Sequence, residues 1–302
     1  MTATMLPLRF QIGARTLAVI PRRLHRLALG LDQVLAERAP DLPALYPGAH
    51  GYQVMSLPQA LVPRLAGAGL LAFERQRYTR HYTDLTIGYH AWLAALSGNA
   101  RSSLKRKSKK LAQHPDGMTI RAFRTAGELA EFHALARPLA ALTYQERLLG
   151  FGLPDDADFL REMYALAAED RVRAWLLTLG GRAVAYLWCS AEGHALRYDY
   201  VGHDPALSDW SPGTVLHAAA FRDLCAEGRF ARFDFTEGEG QHKRQFATGG
   251  VACVDLLLLR DTLANRATIA ALRTFDLGLG WAKRAVAHPG LARLARRIGR
   301  AA

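Results

Sequence analysis

Apolar residues recur along this chain at two periods, and the periods sort it into elements. LRFQI and TLAVIP flank Gly13-Ala14 and read as a strand pair joined by a turn. Arg22 to Ala39 carries its apolar residues at helical spacing and predicts a helix. Residues 51–85 mix a short helix with strand-like ends, and Ile87–Leu96 suits another helix. From Met118 helices and strands interleave. MTIRAF is a strand, and the segment 125–142 is a helix with Thr125 as N-cap and Glu128 at the capping-box position. Residues 143–156 form a loop or helix junction, and 157–171 a helix. Strands follow at 172–179, 182–190 and 195–201, parted by turn signals at Gly180-Gly181 and Glu192-Gly193. A helix at 213–227, a strand at 230–236, a strand at 251–260 and a helical tail from 262 complete the chain. Antiparallel runs closed by one strand–helix–strand crossover predict an α+β fold. Its sheet is mixed, mostly antiparallel, with one parallel pair at the crossover.

Composition narrows the partners. The 302 residues are half hydrophobic, enough for a sizeable core and one or two domains. Lys and Arg number 39 against 27 Asp and Glu, a net charge of +12 that favours anionic partners: nucleic acid, phosphorylated cofactors, acidic carrier proteins or anionic lipid. Arg101, Lys105, Arg106, Lys107, Lys109 and Lys110 form a dense basic block, with Leu104 and Leu111 anchoring one helix face and Ser102 or Ser103 as a candidate cap. The block is either a solvated face or a wall for an anion. Cys189, Cys225 and Cys253 lie in apolar contexts without metal spacing and read as buried thiols of a reducing cytosol. The histidines show no zinc spacing, so no metal is expected. Neither a secretory signal nor roughly 18 consecutive uncharged apolar residues is present, which predicts a cytoplasmic or membrane-peripheral protein. Beyond Thr262 the tail carries Arg266, Arg273, Lys283, Arg284, Arg293, Arg296, Arg297 and Arg300 beside Trp281, Leu291, Leu294 and Ile298. It suits either an anionic membrane surface or packing with a solvated outer face.

The segment DWSPGTVLHAAAFRDLCAEG places Ser211-Pro212-Gly213 at the start of the crossover helix. A helix start exposes unpartnered N–H groups at the positive end of its dipole. Pro212 needs no N–H there, and Gly213 lets a ligand approach the main chain. A phosphate is the natural guest, and an ordinary strand-to-helix turn is the alternative that Ser-Pro-Gly by itself allows.

Three segments carry a family resemblance: the leading helix RSSLKRKSKKL, the run YDYVGHDP…SPGTVL, and FDFTEGEGQHKRQFA. In this order and spacing, residues 100–260 resemble the CelD/BcsL-type acetyltransferase domain of the GNAT acyltransferase superfamily, related to the FemAB-like transferases. The resemblance implies that the pyrophosphate of an acyl-CoA lies on the turn Ser211, Gly213, Thr214 and Val215. Its pantetheine would run between strands 195–201 and 230–236, which splay apart around the acyl carbonyl. It divides the chain into residues 1–100, an α/β region that a partial, degenerate copy of the fold would explain, a transferase domain at 101–261, and a basic tail at 262–302. His242 stands where the family has Tyr, and Gly213-Thr-Val replaces the fuller glycine loop.

Acyl transfer to an amine needs a neutral amine, a polarised carbonyl and a proton for the leaving thiolate. Glu237 or Asp234 is the candidate base, a capping or ion-pair role being the alternative for Asp234. Tyr198 and Tyr200, placed by strand alternation on one face, or His242 would supply the proton. Lys243 and Arg244 are candidates to hold phosphate or acceptor. Tyr144, Gln145 and Arg147 lie where GNAT folds shape the acceptor site. The expectation is an N-acyltransferase that uses acyl-CoA or acyl carrier protein. Its acceptor would be the amine of a cell-envelope precursor: an amino sugar, an exopolysaccharide unit or an amino lipid such as a sphingoid base. A FemAB-like transferase drawing on aminoacyl-tRNA is the alternative enzyme, and a nucleic-acid-binding protein the non-enzymatic alternative. Against the last, no helix-turn-helix or RNA-binding aromatic motif is present.

Overall fold

A computed structural model describes residues 3–12, 15–66, 69–143, 152–238 and 240–287. The chain divides into two compact units, one of residues 1–29, 39–76 and 254–302, the other of residues 30–38 and 77–253. The architecture is α+β, with sheets that are mostly antiparallel and contain parallel pairs.

In the first unit, β1 (Thr4–Ile12) pairs antiparallel with β2 (Arg15–Ala28), and β2 pairs parallel with β3 (Gly51–Pro58). This parallel pair is additional to the single one expected. The helix anticipated over 22–39 is instead strand through Ala28, followed in the other unit by a five-residue helix, α1 (Leu31–Leu35). Leu24 to Ala28 sit opposite Gly51 to Met55, so strand pairing overrides the local helical spacing. The short helix α2 (Val62–Ala66) follows β3. The strands β4 (Leu70–Asp84) and β10 (Gly249–Arg260) each place residues in both units. Helix α9 (Leu263–Ala287) packs on β1, where Phe275 meets Phe10 edge-on at 5.3 Å. The Gly13-Ala14 turn and residues 288–302 lie outside the described residues.

In the second unit the strand order is β10-β4-β9-β8-β7-β6-β5, with β5 (Met118–Phe123), β6 (Val172–Leu179), β7 (Arg182–Glu192), β8 (Ala195–His203) and β9 (Arg232–Asp234). Both faces are covered. Trp175 and Leu177 of β6 join a core under α3 (Tyr89–Ala95), α4 (Gly98–Ala112) and α7 (Pro212–Glu227). Ala174 and Leu176 turn the other way, to a core under α5 (Ala126–Ala140) and α6 (Ala157–Ala168). Burial on both faces explains why VRAWLLTL reads as continuously apolar. The Thr125–Glu128 capping box forms as the residues suggest. Helix α4 starts earlier than expected: Ser97, not Ser102 or Ser103, caps it by accepting from the Ala100 amide. Leu104 and Leu111 are its buried residues. Cys189 and Cys253 are buried and Cys225 half-buried, and none of the three is in a disulfide.

The strand expected over 230–236 shrinks to three residues, and its neighbours explain why. β9 lies antiparallel to β4 and parallel to β8, with Ala195, Leu196 and Arg197 opposite Arg232, Phe233 and Asp234. There the parallel pairing stops. Asp234 is 0% exposed and paired in a two-point contact with Arg80 of β4, Nε to Oδ1 at 3.1 Å and Nη2 to Oδ2 at 2.5 Å. Its Oδ1 also accepts from the Thr236 amide at 2.8 Å, in a turn where Thr236 takes φ 58°. The Phe235 amide bonds to the His81 carbonyl of β4, so the chain stays with β4 and leaves β8.

Removing one partner of a buried ion pair leaves the other's charge without its counter-ion in a low-dielectric interior, at a cost of about 3–5 kcal/mol. Asp234→Asn is therefore expected to lower the unfolding free energy by about that amount in urea titration. A loss below about 1 kcal/mol would show that the pair does not anchor β9.

Candidate functional site

Where β8 and β9 part, a cavity of about 510 Å³ opens. Its walls come from the half of β8 beyond its pairing with β9 (Tyr198, Val201, Gly202, His203), the start of α7 (Ser211, Gly213, Thr214, His217), and α8 (Gln241–Phe246), which contributes His242 and Phe246. Gly202 lets β8 pass close beneath: a Cβ there would lie 2.5 Å from the Tyr186 ring and 2.7 Å from the Thr143 methyl.

A bulge shapes β8. Trp188 opposes Tyr200 and Cys189 opposes Tyr198, so Asp199 is the extra residue. Its carboxylate accepts from the Ser190 amide at 2.8 Å and the Ser190 hydroxyl at 2.6 Å. The bulge breaks the alternation that would put both tyrosines on one face. Tyr198 packs on the α7 side, against His217 and Phe235, and lines the cavity. Tyr200 packs on the opposite side, against Phe159 and Trp188, and is not brought to the cavity.

Before α7 the chain makes a 3-10 turn, Pro205–Trp210, and Ser211 then takes a left-handed conformation at φ 53° and ψ 46°. The Ser211 amide bonds to the Ser208 carbonyl, and the Thr214 and Val215 amides bond back to the Ser211 carbonyl. Among the described residues, only Gly213 of residues 211–215 keeps an N–H without a partner. Ser211 and Thr214 line the cavity, whereas the Val215 side chain is buried in the core. What this turn presents to the cavity is thus one free amide and two hydroxyls, fewer donors than a bare helix start would offer. The basic helix α4 packs nearby: Lys110 Nζ donates to the Asp209 carbonyl at 3.2 Å and lies 4.6 Å from the Trp210 ring centre.

The Tyr198 hydroxyl shares a hydrogen bond of 3.2 Å with His242 Nε2. Burial pushes the Tyr198 phenol well above its ordinary range, so it stays protonated. Burial, with the Lys243 ammonium adding to it, lowers the pKa of His242, so its imidazole is neutral at pH 7. His203 is lowered as well, by burial against the opposing pull of Asp204.

The acidic candidates lie elsewhere. Asp234 is held by Arg80 and is not a lining residue. Glu237 is exposed, and its carbonyl, not its carboxylate, is engaged, accepting from Lys243 Nζ at 2.6 Å. Lys243 is accordingly buried and ties down the main chain at Glu237 instead of reaching outward. Arg244 is exposed and borders a separate open groove with Ser97, Ser103 and Lys107. Tyr144, Gln145 and Arg147 lie outside the described residues. Among the described residues, no group of His, Cys, Asp or Glu is placed to hold a metal.

One residue on the cavity wall was missed in the sequence. His217, 4% exposed, stands between Tyr198 of β8 and Phe233 and Phe235 beyond it. Its Nδ1 lies 3.2 Å from the Gly213 carbonyl, and its Nε2 is buried without a partner. Burial, reinforced by nearby His242, brings its pKa to about 3. The available signal was a lone imidazole in the otherwise apolar run Val215–Phe221.

Residues 98–244 match the family model for an acetyltransferase (GNAT) domain. No curated protein matches the chain. Among solved structures, the C-terminal domain of a putative lysylphosphatidylglycerol synthetase from Agrobacterium fabrum is similar, with 14% identity and a TM-score of 0.52 over 75% of this chain and 72% of that one. FemX is similar with 12% identity and a TM-score of 0.51, over 86% of this chain and 89% of FemX. At such identities the likeness is one of fold. The parted strands and the helix that starts between them agree with the match of residues 98–244 to an acetyltransferase (GNAT) domain, and the fold is similar to that of FemX.

Proposed function

We propose that this chain is an N-acyltransferase. It moves an acyl group from the thioester of CoA or an acyl carrier protein to an amine of a cell-envelope precursor, an amino sugar, an exopolysaccharide unit or an amino lipid. The observation that carries this reading is the cavity at the parting of β8 and β9, with Ser211, Gly213 and Thr214 on its wall. The Gly213 amide and the two hydroxyls would hold the donor's phosphate, and the cations of α4 would favour its charge. The acyl carbonyl would sit near Tyr198.

The chemistry follows from the Tyr198–His242 pair. The neutral amine attacks the carbonyl carbon, and the carbon–sulfur bond breaks. The amine's proton passes to the neutral His242 imidazole, and the Tyr198 hydroxyl protonates the departing sulfur. The imidazolium then returns its proton to the phenolate across their 3.2 Å hydrogen bond, so the pair ends as it began. No carboxylate is needed in this scheme, and the roles considered for Asp234 and Glu237 pass to His242.

Fold likeness to FemX favours a second donor, aminoacyl-tRNA, which the same cradle and basic helix would admit. A thermal-shift series decides between them. At a hundredfold excess over Kd, acyl-CoA is expected to add about 2.7 kcal/mol of stability, and uncharged or charged tRNA none. Stabilisation by aminoacyl-tRNA alone would replace the donor in this proposal. Gly213→Glu is a matched control. A Cβ there meets nothing nearer than His203 Nδ1 at 3.8 Å, so the variant should fold. It should lose at least tenfold in acyl-CoA affinity through charge repulsion at the cradle. Unchanged affinity would place the phosphate elsewhere.

Tyr198→Phe removes the proton donor while keeping the ring. Its kcat is expected to fall by about 10²-fold with KM little changed. A kcat within twofold of wild type would remove Tyr198 from the chemistry.

The proposed acceptors sit at envelopes, and α9 offers a surface for one. Leu277 and Trp281 are 63% and 72% exposed on a helix that also carries Arg266 and Arg273. No helix among the described residues is long and apolar enough to cross a membrane. Sedimentation with vesicles rich in phosphatidylglycerol should capture the protein at low salt, and Trp281→Ser should weaken capture several-fold. Equal binding to neutral vesicles would refute a charge-guided surface.

A further inference from the structure

His217 is a polar group on the cavity wall whose chemistry the scheme above leaves unused. A carbonyl oxygen only accepts hydrogen bonds, so the Nδ1 that faces the Gly213 carbonyl must carry the proton. That fixes the tautomer and leaves Nε2 as a lone pair. Nε2 is buried and has no partner among the described residues. An acceptor left unmade in an interior is destabilising, and a bound ligand would relieve that by donating to it.

The surroundings say what kind of donor. The ring is packed among Tyr198 at 5.2 Å, Phe246 at 5.9 Å, Phe233 at 6.2 Å and Phe235 at 6.4 Å between centres. A second imidazole, His242, lies 6.3 Å away. With its pKa near 3, His217 is too weak a base to hold a proton taken from an ammonium group. An aromatic enclosure with a lone pair suits an uncharged N–H or O–H instead. Position selects the ligand part. His217 lies one turn beyond Gly213 on α7, facing Tyr198 of β8 and Phe233 of β9, where the two strands diverge.

We propose that His217 Nε2 accepts a hydrogen bond from an amide N–H of the acyl donor's pantetheine arm, making it a specificity-determining contact for the arm and not a base. The inference rests on the CoA reading above. A donor that ends in an aminoacyl ester on RNA has no such arm.

Calorimetry and nitrogen-15 NMR test it on the full chain. Two probes are used: acetyl-CoA, and adenosine 3′-phosphate 5′-diphosphate, which keeps all three nucleotide phosphates but lacks the arm. His217→Phe is expected to weaken acetyl-CoA about tenfold and to leave the nucleotide unchanged, with His217→Gln recovering part of the loss. In wild type, acetyl-CoA should shift the His217 Nε2 resonance away from that of a free lone pair, and the nucleotide should not. Equal losses for both probes would show a merely structural role and overturn the inference. So would an unmoved Nε2 resonance in a complex that forms, and this readout needs no variant to fold. Failure of wild type to bind acetyl-CoA at all would instead overturn the CoA reading, and this inference with it.

Discussion

The cavity exists because β8 and β9 stay together for only three residue pairs. Two local devices drive them apart. On β9, Arg80 holds the Asp234 carboxylate, the carboxylate holds the Thr236 amide, and Thr236 turns through a left-handed conformation. On β8, the extra residue Asp199 is pinned to Ser190 and re-aims the strand beyond it. Both rely on a carboxylate that accepts main-chain N–H groups, so each spends an acidic side chain on geometry. Acidic residues near a transferase cavity invite assignment as bases. Here Asp234 and Asp199 position the strands, and neutral imidazoles line the space the strands enclose.

That division explains which parts of the molecule could be read from its residues. Thr125 and Glu128 are three apart, and a capping box needs nothing else, so the start of α5 was legible. The strands of VRAWLLTL and its neighbours were legible because burial on both faces leaves an unbroken apolar run. So was the Ser-Pro-Gly junction, as the start of a crossover helix. What was hidden depends on distant partners. Arg80 and Asp234 are 154 residues apart, and nothing in RFDFT says that its aspartate is buried under an arginine. LRYDYVG alternates cleanly as written, and the bulge that separates Tyr198 from Tyr200 arises only from pairing with β7. Likewise Leu24–Ala28 has helical spacing, yet lies in a strand because β3 runs beside it.

The helix start teaches a related lesson. Orphan amides were expected at the head of α7, but the carbonyl of Ser211, set by its left-handed turn, already receives two of them. Under the proposed function, an anion at this corner would be held by the Ser211 and Thr214 hydroxyls and the cations of α4 as much as by main-chain dipoles. This suits a donor whose charge is spread over several phosphates better than one compact anion.

Shutting His217 inside the second unit has a cost that falls outside the cavity. In the unfolded chain its imidazole titrates near pH 6.5, whereas in the folded chain it binds a proton only near pH 3. Folding in mildly acidic surroundings must therefore expel that proton. The protection this side chain lends is whole above about pH 6.5, and erodes steadily as the medium acidifies toward pH 3. An enclosure built to keep one nitrogen uncharged thus links the persistence of the fold to the acidity of the compartment that holds it.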